Sequence, residues 1–104
     1  MTLHLVDEAA ADIQEARRWY RRQRSELANR FIAAVASRLR AIEVYPEAQP
    51  RVHGSLRRVL LHRFPYALLY IIDEEAIVVI GCFHTARDPS AWQDRSDRYL
   101  REAE

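Results

Sequence analysis

The chain has 104 residues, 16 basic and 15 acidic side chains, four histidines and a net charge of +1. That length supports one domain with one core, and a composition 49% apolar and 30% charged belongs to a globular chain rather than a disordered one. No apolar run reaches membrane-spanning length, no leader pattern opens the sequence, and so small a net charge supplies no overall field to draw the molecule to nucleic acid.

Any such attraction therefore rests on how the charges are distributed. All 16 basic side chains are arginine, whose planar fork suits phosphate and carboxylate. The acids gather at 7–15, at 73–75 and in the tail, while Arg57, Arg58 and Arg63 lie close together and Arg87 follows the last expected strand. The cytoplasm is the expected location. The single cysteine, Cys82, has no partner for an internal disulfide or a thiolate metal site and reads as a core thiol.

In chain order, residues 3–6 predict a short strand, and Asp7 is the expected N-cap of a first helix. Ala9, Ile13, Ala16 and Tyr20 recur at helical spacing with Trp19 beside them, while Asp12, Glu15, Arg18 and Arg22 take other faces. Residues 21–25 predict a polar joint. Leu27, Phe31, Val35, Leu39 and Ile42 then draw the stripe of a second helix ending before Pro46. Residues 46–55, with two prolines and the first glycine, read as a loop.

Strands are expected near 56–63, 66–73 and 76–84, joined by Pro65 and by the polar turn at 73–76 as an antiparallel meander. Strict alternation puts Arg57 with Arg63 on one face and Arg58 with Leu60 and His62 on the other. It likewise sets Ile77, Val79 and Phe83 against Val78, Ile80 and Cys82. Both faces of the last two strands are apolar, yet only one helical hairpin is available to cover them. A partner chain is expected on the second face, in preference to the C-terminal segment, with Trp92, Phe83 and Leu60 as its contacts. Residues 89–104 predict a short helix around Trp92 and a frayed tail.

The order strand, helix, helix, three strands resembles the RelE/ParE superfamily of toxins from bacterial type II toxin–antitoxin modules, in the branch labelled plasmid stabilisation proteins. The resemblance rests on Ala11-Asp12-Ile13, Trp19-Tyr20, Arg30-Phe31, Pro46, Pro50 and Arg57-Arg58, and continues through Arg63-Phe64-Pro65-Tyr66, Tyr70, His84 and Arg87-Asp88-Pro89. It implies an α+β fold, β-α-α-β-β-β, with the N-terminal strand and helical hairpin on a small, mainly antiparallel sheet. The whole chain, 1–104, is then one growth-inhibiting domain, neutralised by a cognate antitoxin and able to form a homodimer or a heterotetramer with it.

Two targets divide that superfamily: ParE-like members poison DNA gyrase, and RelE-like members cut messenger RNA on the ribosome. Metal-free RNA cleavage needs an acid or base and cations for the phosphate. His84 with Arg58, Arg63 and Arg87 are the catalytic candidates, and Tyr66, Tyr70 and Arg57 the substrate-binding ones. The nuclease relatives carry an arginine where this chain has Ala67, which turns the expectation towards gyrase, with the ribonuclease as the alternative. An inactive relative that only binds antitoxin is the third reading. His4, His53 and His62 have no second ligand at metal spacing and read as surface or structural residues, so neither metal nor cofactor is expected.

Overall fold

The structure, a computed structural model, describes residues 1–103. Strand β1 (Thr2–Leu5) leads into helices α1 (Asp7–Gln23) and α2 (Ser25–Val44), then strands β2 (Arg51–His53), β3 (Leu56–Leu60), β4 (Tyr66–Asp73) and β5 (Ala76–His84), and helix α3 (Pro89–Ala103). The five strands form one sheet in the order β1-β5-β4-β3-β2. β1 runs parallel to β5 and the other pairings are antiparallel. This is the α+β arrangement expected from the sequence.

The helical hairpin covers one face. Ala9, Ile13 and Ala16 of α1 and Phe31, Val35 and Ile42 of α2 meet Val59, Leu68, Tyr70, Ile77, Val79 and Cys82. Phe31 and Tyr70 are fully buried, and burying a side chain of that size contributes about 1.5–3 kcal/mol. The tyrosine's polar end is satisfied, because Tyr70 Oη donates to the carbonyl of Pro46 at 2.6 Å and ties down the loop after α2.

Several local expectations are corrected. The N-cap of α1 is Val6, and Asp7 lies with Glu8 in the first helical turn, where carboxylates meet the positive end of the helix dipole. The joint between the helices shrinks to Arg24, because both helices extend towards it. The segment read as a loop contains β2, which pairs with β3 through a turn where Gly54 takes φ +57°. β3 ends at Leu60 rather than near residue 63. Arg63 sits at φ +69° in the following turn, so alternation cannot align it with Arg57.

A bulge in β5 overturns the expected faces of its C-terminal half. Tyr70 opposes Val79 while the adjacent Leu69 opposes Gly81, which leaves Ile80 as an extra residue. Alternation restarts after it. Cys82 joins Ile77 and Val79 beneath the helical hairpin, whereas Phe83 joins Val78 and Ile80 on the second face.

That second face is covered by the chain itself and not, as expected, by a partner. α3 runs 15 residues, and its Trp92, Tyr99 and Leu100 pack with Leu56, Leu69, Ile71, Val78, Ile80 and Phe83. The helix is continuous to Ala103 rather than short and frayed, and the end of the expected tail, Glu104, lies outside the described residues. Trp92 and Phe83 are therefore 8% and 3% exposed, while Leu60 stays 51% exposed.

Candidate functional site

β1 pairs with β5 only as far as Val79, and the chain then leaves the sheet through Val6, whose N–H donates to the carbonyl of Val79 at 3.0 Å. From Ile80 onward this edge of β5 has no strand beside it among the described residues. A groove of about 500 Å³ opens there, walled by Glu15, Trp19, Tyr20 and Arg22 of α1 on one side and by Tyr66, His84 and Arg87 on the other.

Aromatic packing fixes both walls. Tyr20 lies 5.0 Å from Phe64, 5.3 Å from Phe31 and 6.2 Å from Tyr66, and meets Trp19 edge-on at 5.1 Å. Tyr66 in turn packs edge-on against His84 at 5.1 Å, as their cross-strand pairing requires. Burial pushes the Tyr20 and Tyr66 hydroxyls above the usual phenol range, so both are neutral near pH 7. Trp19 is 49% exposed, a large apolar surface at the rim.

His84 Nδ1 accepts the N–H of Ala86 at 3.0 Å. With Nδ1 so engaged, the neutral ring carries its proton on Nε2 and presents a donor. It can act as a base only by giving up that turn.

Asp12, which lines the groove, is one half of an ion pair with Arg95. Asp12 Oδ2 accepts the N–H of Cys82 at 3.0 Å and Arg95 Nη1 at 2.5 Å, and the same Nη1 donates to the carbonyl of Ile80 at 3.2 Å. Asp12 and Arg95 thus satisfy the edge groups that β1 leaves open. Glu8 adds contacts to Arg95, at 3.4 Å, and to Arg98. The Arg98 hydrogen bond holds the Glu8 carboxyl below the usual carboxylate range. Gly81 makes this crossing possible: a Cβ there would lie 2.9 Å from Arg95 Nη1 and 3.0 Å from the Phe83 ring. Sequence reasoning missed Arg95 altogether, and it placed Asp12 on a polar helix face and among the residues of the family resemblance without giving it a partner. A glycine inside an apolar strand was the one available signal.

Of the residues singled out by sequence, the groove gathers His84, Arg87 and Tyr66. Phe83 reaches its lining only from the second face, with the Arg87 and Arg95 guanidinium groups 5.0 and 4.4 Å from its ring centroid. The others are elsewhere. Arg57 donates to the carbonyls of Glu47 and Gln49 at 3.2 and 2.5 Å and serves the loop. Arg58 pairs with Leu69 on the α3 face of the sheet, as does Leu60 with Ala67. Arg63 stands in its turn against His62. Tyr70 is fully buried and cannot stack on a ligand. His53 bonds Asp97 at 2.8 Å, joining β2 to α3. Among the described residues no group of three or more His, Cys, Asp or Glu could hold a metal ion, and no helix is long and apolar enough to cross a membrane.

A strand, a helical hairpin, a meander and a returning helix make up the fold, and the sequence carries a family signature. Residues 3–89 match the family model described as ParE toxin of type II toxin-antitoxin system, parDE, and the chain belongs to that family. Its fold is similar to a solved structure from P. aeruginosa titled "Chromosomal ParDE TA system", with a TM-score of 0.72 and 18% identity, covering 81% of this chain and 95% of that one. No curated protein matches the chain in sequence. The chain is the toxin component of a type II toxin–antitoxin module, and an antitoxin is its partner.

Proposed function

We propose that this toxin arrests growth by acting on DNA gyrase, as its ParE-like character implies, and not by cutting RNA. The dispersal of cations around His84 carries the proposal. A ribonuclease of this size without a metal needs convergent positive charge on the phosphate in the transition state. Here Arg57 is committed to loop carbonyls, Arg58 belongs to the opposite face of the sheet from His84 and Tyr66, and Arg87 is drawn onto Phe83. Position 67, where the nuclease relatives carry arginine, is an alanine 4% exposed. The His84 ring, with Nδ1 occupied, is poorly set up as a base.

The groove does bring His84, Tyr66 and Arg87 together, and that juxtaposition is the support for the second reading, a ribosome-dependent endoribonuclease. Inducible expression in a bacterial host separates the two, with growth, protein synthesis and plasmid supercoiling followed over the first minutes. Early loss of supercoiling with synthesis intact supports the gyrase reading. Early loss of synthesis with cut transcripts supports the ribonuclease, and no growth defect leaves an inactive antitoxin-binding relative. Either toxic activity belongs in the cytoplasm, where both targets are.

A further inference from the structure

We draw no further inference here: the strongest candidate, the apolar trough that Leu5 of β1, Ala10 and Ile13 of α1 and Ile32, Ala36 and Leu39 of α2 leave open beside the edge strand, has nothing in the structure to show what covers it, and filling it with the antitoxin would restate the partner already assigned.

Discussion

Asp12 and Arg95 stand 83 residues apart in sequence and meet at 2.5 Å over Gly81, where they join α1 to α3 across the open edge of β5. Their side chains are only 15% and 16% exposed. Removing one partner leaves the other charge poorly solvated and the Cys82 N–H or Ile80 carbonyl without its bond. Arg95→Ala is expected to destabilise the fold by about 3 kcal/mol, the low end for a broken buried pair, measured by urea denaturation. A change below about 0.5 kcal/mol, typical of a neutral surface substitution, would show that the pair does not hold α3 in place.

Gly81→Ala places a methyl group into the same crossing. The expected cost is about 1–2 kcal/mol, because the Phe83 ring and the pinned guanidinium must both give way. In an Arg95→Ala background that cost should shrink, as the nearest obstructing atom is gone. Equal costs in the two backgrounds would mean that the arginine is not the obstacle.

The elements were legible in sequence where one period dominates. The stripes from Ala9 to Tyr20 and from Leu27 to Ile42 gave both helices, and the apolar runs after Leu56 gave the meander. Features that depend on long-range contact were hidden. The bulge at Ile80 moved Phe83 and Cys82 to opposite faces from those alternation assigns, and only the adjacent glycine hinted at it. α3 was underestimated because charge dominates its composition, although Trp92, Tyr99 and Leu100 already share a helical face. Of the candidate site, the sequence singles out His84, Arg87 and Tyr66, which the groove brings together. The Asp12–Arg95 pair is not legible there, since nothing local links residue 12 to residue 95.

The Cys82 thiol, pushed up to about 12 chiefly by burial, stays protonated well above neutral pH. Its native pKa exceeds its unfolded value, so its contribution to stability is intact below about pH 9 and is lost as pH rises towards 12. Burial shifts Tyr20, Tyr66 and Tyr70 in the same direction, steepening the loss above pH 10. Iodoacetamide should label Cys82 slowly in the native protein and quickly in urea. Rapid native labelling at pH 8 would contradict the buried placement of the thiol.

Ser96 on α3 is fully buried, and its Oγ has no hydrogen-bond partner among the described residues. Ser96→Ala removes an unsatisfied hydroxyl at nearly constant volume and should leave stability unchanged or raise it by about 1 kcal/mol. Thermal melting gives the comparison; a fall in Tm would mean that the hydroxyl is bonded in solution.

Purified components separate a toxin that disables gyrase without His84 as a catalytic group from one that cuts RNA with it. Gyrase, relaxed plasmid and ATP are incubated with the natural chain or with His84→Ala, an exposed position whose loss should leave the fold intact, and supercoiling is read on gels. A parallel ribosome reaction with messenger RNA reports cleavage. Both proteins should block supercoiling to a similar extent, and neither should cut RNA. Unimpaired supercoiling, together with messenger cleavage that disappears in His84→Ala, would contradict the gyrase reading and establish the ribonuclease.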